Sequence, residues 1–177
     1  RGATVRGIAE RSEVTQGLIR HYFSTKEELV LAAYDHHMTQ MTNQTFSGSE
    51  QVEGTALERL RALVVSSLTP PVVDPRSLAL WAAFLNKVQH DAGMRETHAK
   101  TYLDFRNRLE ALIRAALEEA GKPAEDARLL QLAIAGNALI DGLWMEGGAL
   151  PEAFAPGELS EIGLTSIGAI IGLDLTG

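Results

Sequence analysis

Thr4-Val5-Arg6-Gly7-Ile8-Ala9-Glu10-Arg11-Ser12-Glu13-Val14-Thr15-Gln16-Gly17-Leu18-Ile19-Arg20-His21-Tyr22-Phe23-Ser24-Thr25-Lys26-Glu27-Glu28-Leu29 is the stretch that decides how this chain is read. It contains three helix starts. Thr4 stands as an N-cap before Val5, Ile8 and Ala9, which repeat at i, i+3 and i+4, so a helix is predicted over 4–12. Ser12-Glu13-Val14 breaks the pattern. Thr15 then caps a second short helix ending near Phe23. Thr25-Lys26-Glu27-Glu28 has the capping-box form, in which hydroxyl and carboxylate satisfy each other's orphan amides. The helix it opens is expected to run to about Phe46.

At 100° per residue the second helix has two unlike sides. Leu18, Ile19, Tyr22 and Phe23 fall together as an apolar ridge expected to be buried. Gln16, Gly17, Arg20 and His21 face the other way. An amide can pair with adenine, a guanidinium with guanine, and a glycine permits close backbone approach, so this face suits a major groove. Thr4, Tyr22 and Lys26 stand at helix ends, where hydroxyls, amides and an ammonium meet phosphates. The same pattern also fits a small amphipathic helix with a solvated polar face, and the residues alone leave both readings open.

Beyond this head the chain reads as helix almost throughout. Ser47-Gly48-Ser49 is expected to be a loop. Ala56–Leu68 carries Leu57, Leu60, Val64 and Leu68 at helical spacing. Thr69-Pro70-Pro71-Val72-Val73-Asp74-Pro75 is excluded from helix by its prolines. A helix resumes over Arg76–His90, and a long one follows Asp91-Ala92-Gly93 and stops at Gly121 with Pro123 beyond. Two more are expected over Ala124–Gly147 and Glu158–Leu173. The division is 1–46 for the head with its connecting helix and 47–177 for a helical body.

The 177 residues carry a net charge of −7, unevenly placed. Residues 1–26 hold Arg1, Arg6, Arg11, Arg20 and Lys26 against Glu10 and Glu13, a balance of +3, whereas the rest hold 11 basic and 21 acidic residues, a balance of −10. A basic head on an acidic body can grip DNA at one end and repel it elsewhere. With no cysteine there is no disulfide framework, thiol nucleophile or zinc finger. No apolar run approaches bilayer length, and Arg1-Gly2-Ala3-Thr4-Val5 leads into no apolar signal segment, so a cytoplasmic protein without a membrane partner is expected. Enzyme motifs (H-E-x-x-H, G-x-S-x-G, a P-loop) are missing from the sequence. His36 and His37 point about 100° apart on one helix and do not chelate together easily. His90-Asp91 and His98 flank a break and could approach each other, but neither a metal nor any other cofactor is expected.

The last two helices of the body are apolar on more than one face. Leu129, Leu132, Gly136, Leu139 and Leu143 form one stripe, widened by Leu130, Ala133, Ile134, Ile140 and Trp144. Ile162, Leu164, Ile167, Gly168, Ala169, Ile170 and Ile171 follow in the final helix. Such helices are buried on more than one side. They suit a four-helix interface across a two-fold axis, or else build the core of one chain.

Residues Thr4–Leu29 closely resemble the helix-turn-helix signature of TetR-family regulators. The Ile8-Ala9 pair, Val14 of the turn, Tyr22-Phe23 and Lys26-Glu27-Glu28-Leu29 carry the match. The resemblance implies backbone or base-edge contacts from Thr4 and Arg6, a recognition surface of Thr15, Gln16, Gly17, Arg20 and His21, and phosphate clamps at Tyr22 and Lys26. Two departures stand out. The family usually has Gly where Glu13 stands, and a Glu held at positive φ costs on the order of 1 kcal/mol, so a differently shaped turn is expected. The family also opens with a further helix, often after a basic arm. This sequence starts at the supporting helix, and a head with an incomplete core is expected, its N-terminus disordered or truncated.

Trp81-Ala82-Ala83-Phe84-Leu85 and Ala138-Leu139-Ile140-Asp141-Gly142-Leu143-Trp144 resemble, more loosely, the body of the choline-responsive, BetI-like branch. That branch places its effector pocket inside the body, which nominates Trp81, Phe84, Leu85, Val88, Tyr102, Phe105, Asn137, Asp141 and Trp144. An Asp among aromatic rings can hold a cation by charge and cation–π attraction; equally, these aromatics can be ordinary core. The expectation is an all-α, ligand-responsive regulator: a homodimer joined through its last two helices, on a double-stranded operator, released by a small-molecule effector. A repressor is expected, although an activator would bind DNA identically. The rival is a helical small-molecule or lipid carrier whose head is only structural.

Overall fold

The computed structural model describes residues 4–177, so Arg1 of the basic head lies outside the described residues. Among the described residues eight α-helices follow one another: α1 (Val5–Arg11), α2 (Gln16–Tyr22), α3 (Lys26–Glu50), α4 (Ala56–Ser67), α5 (Pro75–Val88), α6 (Ala92–Glu119), α7 (Asp126–Ala149) and α8 (Glu158–Ile171). A 3-10 turn at Pro151–Ala153 precedes α8, and no strand occurs among the described residues. The chain is all-α, as expected.

Side chains start six of these helices. Thr4, Thr15, Thr25, Thr55, Asp74 and Asp91 each accept from a backbone N–H one turn in, a contact worth about 1 kcal/mol apiece. The expected reciprocal box at Thr25 does not close, because Glu28 accepts from the N–H of Ser24 at 2.7 Å instead. The closed box is at Thr55, whose N–H donates to Glu58 at 2.7 Å. At the far end of α6, Gly121 turns to φ +68°. Lys122 N–H then reaches Leu117 O at 2.8 Å and Gly121 N–H reaches Glu118 O at 3.0 Å, the Schellman stop that Gly121 announced.

Two local expectations are corrected. Ser47-Gly48-Ser49 is helix, the last full turn of α3. Ser47 and Ser49 fold their hydroxyls back onto the carbonyls of Gln44 and Phe46 at 2.8 Å, and so do not compete for a turn. Gly48 lets α4 come close, since a Cβ there would meet Ser66 Cβ at 3.4 Å. Arg108 of α6 braces the same turn by donating to Glu50 at 2.7 Å and lying 3.9 Å over the Phe46 ring. Tertiary contacts here override local propensity. The turn before α2 is also not reshaped: Glu13 itself takes φ +54°.

The body packs α3, α4, α6, α7 and α8 around fully buried Leu60, Leu63, Val64, Leu109, Ile113, Leu129 and Ile167. A smaller cluster of Tyr34, Met38, Phe84, Val88 and Met94 joins α3 to α5 and α6. The prolyl segment before α5 is pinned to the body by Trp144, whose indole N–H donates to Val72 O at 2.8 Å. The head is thinner. Its short helices pack on each other with only Ala9 and Ile19 buried. The expected buried ridge is therefore corrected: Leu18 is 45% and Tyr22 71% exposed, and Phe23 is half-buried. Ile19 is the one residue of α2 that is buried among the described residues.

Candidate functional site

Two places gather functional side chains. On the head, Thr4, Arg6, Thr15, Gln16, Gly17, Arg20, His21 and Tyr22 are all exposed and Lys26 is half-buried. Thr4 and Thr15 spend their hydroxyl acceptors on the N–H groups of Gly7 and Leu18, both at 3.1 Å, which fixes the starts of both helices. Arg6 lies on Glu10 at 2.9 Å. That pair is well exposed and gives way readily to a phosphate. His21 meets Tyr22 edge-on, ring centres 5.1 Å apart. Gly17 has no steric need inside the chain, because a Cβ there would touch only Thr15 Oγ1 at 3.8 Å.

In the body, a cavity of about 290 Å³ lies between α3, α5, α6 and α7. Six of the nine nominated residues line it: Trp81, Tyr102, Phe105, Asn137, Asp141 and Trp144. Phe84, Leu85 and Val88 do not, which corrects their nomination. Phe84 and Val88 belong to the smaller cluster beneath α3, and Leu85 is half-buried elsewhere on α5. For Val88 the reason is the rise of the helix, which sets it about 10 Å along α5 from Trp81; Phe84, within a turn of Trp81, packs instead on the Tyr34 ring, centres 4.5 Å apart.

The cavity's polar corner is one hydrogen-bonded group. Tyr102 Oη donates to Asp141 Oδ2 at 2.7 Å, while Asn137 Nδ2 donates to Tyr102 Oη at 2.6 Å and to Asp141 Oδ2 at 3.1 Å. Both bonds fall on one carboxylate oxygen. Asp141 Oδ1 has no protein hydrogen bond, and Asp141 has no ion-pair partner among the described residues. Burial raises its carboxyl above the ordinary value, and the bonds from Tyr102 and Asn137 pull the other way. Burial, then the bond to Asp141, push the Tyr102 phenol up to about 12. Trp81 and Trp144 meet edge to face 5.9 Å apart on the apolar side.

Sequence reasoning missed most of one wall. Met38, Met41, Thr42 and Thr45 of α3 line the cavity, as do His98 and Thr101 of α6. A stripe at 38, 41, 42 and 45 was legible at helical spacing, but it lies on a helix read only as a connector. His98 had no signal, since its neighbours Tyr34 and Tyr102 are brought to it by folding.

A helix-turn-helix carried on a helical body with a polar-cornered cavity defines a one-component DNA-binding regulator. Residues 1–33 match the family model of bacterial regulatory proteins of the tetR family, and residues 56–172 match that of the BetI-type transcriptional repressor C-terminal domain. The chain belongs to the TetR family, with a BetI-type body. The HTH-type transcriptional regulator BetI of Burkholderia ambifaria is 29% identical over 147 residues, covering 82% of this chain and 72% of the relative. BetI of Paraburkholderia phytofirmans is 28% identical over 153 residues, covering 86% and 75%. A solved transcriptional regulator from Pseudomonas aeruginosa PAO1 superposes with a TM-score of 0.85 at 30% identity, over 97% of this chain and 81% of that one. A regulator from Saccharomonospora viridis, solved in complex with choline, shares the fold at 20% identity and a TM-score of 0.67, over 96% and 84%. The family regulates transcription, so the chain is a DNA-binding transcriptional regulator rather than an enzyme. Among the described residues no helix is long and apolar enough to cross a membrane.

Proposed function

We propose that the protein is a cytoplasmic, homodimeric repressor that leaves its operator when a small organic cation enters the body cavity. The observation that carries the effector class is Asp141 Oδ1, a carboxylate oxygen without a protein partner among the described residues, in a cavity that Trp81 and Trp144 also line. Among the described residues no Lys or Arg lines the cavity. A cation pairs with the half-buried carboxylate and gains the faces of the indoles. The choline held by the Saccharomonospora viridis neighbour supports this ligand class. Exposed apolar residues on the two C-terminal helices support the dimer: Leu130, Ile134 and Met145 of α7 and Ile162 of α8 are 38–45% exposed. A two-fold pairing through them would set two α2 helices in major grooves about 34–36 Å apart, or a larger multiple.

Two rotational states of the body then differ in whether both heads fit. Coupling of this kind is typically about 1–3 kcal/mol. Footprinting of the upstream intergenic DNA, with and without choline, tests the proposal. Protection of a pseudo-palindrome that is lost on adding choline is expected. Absence of any duplex preference at low ionic strength would favour the helical-carrier reading and end this one.

A further inference from the structure

The cavity reaches the surface around the side of α7. Ile140, Trp144, Asn137, Asp141 and Met145 are its residues on that helix. In that order, at 100° per residue, they sweep from the buried side of α7 to its outward side. Exposure follows the sweep: Ile140, Trp144 and Asn137 are buried, Asp141 is half-buried, and Met145 is 39% exposed. The mouth therefore lies at Met145. Met145 shares its side of α7 with Ile134, Ala138, Gly142 and Ala149, five positions within about 80° of one another and none of them charged. Gly142 is half-buried and the other four are exposed. A Cβ on Gly142 would meet nothing within 4 Å. On α8, which packs along α7, Ile162, Thr165 and Ala169 are also exposed and uncharged. Two copies of an acidic body repel one another, and an uncharged face with small residues offers them a place to meet. Such a face is its own complement across a two-fold axis.

We propose that the second subunit closes the effector cavity: the partner's α7 and α8 lie over Met145, so the site is complete only in the dimer. Asp141, half-buried in one chain, is then shielded further from water. Exchange of an occupant is tied to movement of one subunit against the other. This rests on the dimer reading of the two C-terminal helices and not on the chemistry of the effector.

The chain carries its own reporters, so no ligand is needed. Its two tryptophans, Trp81 and Trp144, both line the cavity. Met94 is 2% exposed in the smaller cluster and is the protected reference for Met145. On the full chain, sedimentation velocity gives the oligomeric state. Hydrogen peroxide followed by peptide mass spectrometry gives the oxidation rate of each methionine, and acrylamide quenching gives access to the indoles. Ala138→Asp sets a charge in the uncharged face at a position that does not line the cavity, and it is expected to be monomeric. In the wild-type dimer Met145 should oxidise within about fivefold of Met94 and at least about tenfold more slowly than Met145 of Ala138→Asp, with the indoles at least about twofold less quenched. A wild-type dimer whose Met145 oxidises faster than that, or whose indoles are quenched as readily as those of the monomeric variant, overturns the inference and leaves the dimer reading intact. A wild-type chain that sediments as a monomer overturns both. Met145 and Met94 are compared within one wild-type molecule, so that measurement decides the matter even if Ala138→Asp folds poorly.

Discussion

Head and body use their side chains in opposite ways. In α1 and α2 only Ala9 and Ile19 are buried, and the residues nominated for contact stand in solvent. In the body, the chemistry is enclosed by a core of more than a dozen fully or nearly fully buried aliphatic and aromatic side chains. The head resembles a printed surface on a thin backing, and its stability depends on what it packs against. The body is a scaffold whose information lies inside. Function therefore tolerates disturbance differently in the two regions: the head should lose recognition without losing its fold, and the body should lose its fold before anything else.

That contrast can be broken in four places. Leu60→Ala in the body should cost about 2–5 kcal/mol in chemical denaturation, whereas Arg20→Ala on the head should stay within about 0.5 kcal/mol. Equal losses would mean that the head is structurally integral. Next, Arg20→Ala should lower operator affinity by about 1–3 kcal/mol and relax base preference, while Lys26→Ala should lower the salt slope by about 1. Equal loss on operator and random DNA for Arg20→Ala would remove its reading role.

Asp141→Asn should then weaken choline binding about tenfold, on the scale of one charge-assisted contact. The sign of its pH dependence follows from the raised carboxyl. A group whose folded value stands above its unfolded one contributes stability below the unfolded value and loses it as pH rises through the folded one. Asp141→Asn should therefore melt higher than wild type above that window, with the gap closing on acidification. Calorimetry should show wild-type choline affinity falling as pH drops through the same window, and a flat profile for the variant. Smallest of all, Glu13→Gly should stabilise the protein by about 1 kcal/mol by relieving the left-handed turn. A loss of stability on that substitution would mean that the Glu13 side chain makes a compensating contact.

Caps and stops were legible from sequence because they are local. Thr4, Thr15, Thr25 and Gly121 act within one turn of themselves. The exposed polar face of α2 was legible because its residues lie within six positions of one another, at a spacing that survives folding unchanged. The cavity was legible only in part. Asn137, Asp141 and Trp144 were nominated through the resemblance to the BetI-like branch and line the cavity, whereas Phe84, Leu85 and Val88, nominated the same way at helical spacing from Trp81, do not. The serines around Gly48 also misled. Their turn propensity is real, and contacts from Ser66 and Arg108, far along the chain, outweigh it.

Because α3 runs unbroken through Ser47, Gly48 and Ser49, it is a single stiff lever. Its contact with α4 where Gly48 lies against Ser66 can serve as a fulcrum. From there to Lys26 is 22 residues, about 33 Å of arm. A tilt of about 5° at the fulcrum sweeps the far end through about 3 Å, a full hydrogen-bond length. A loop at residues 47–49 would have absorbed that angle; the continuous helix amplifies it.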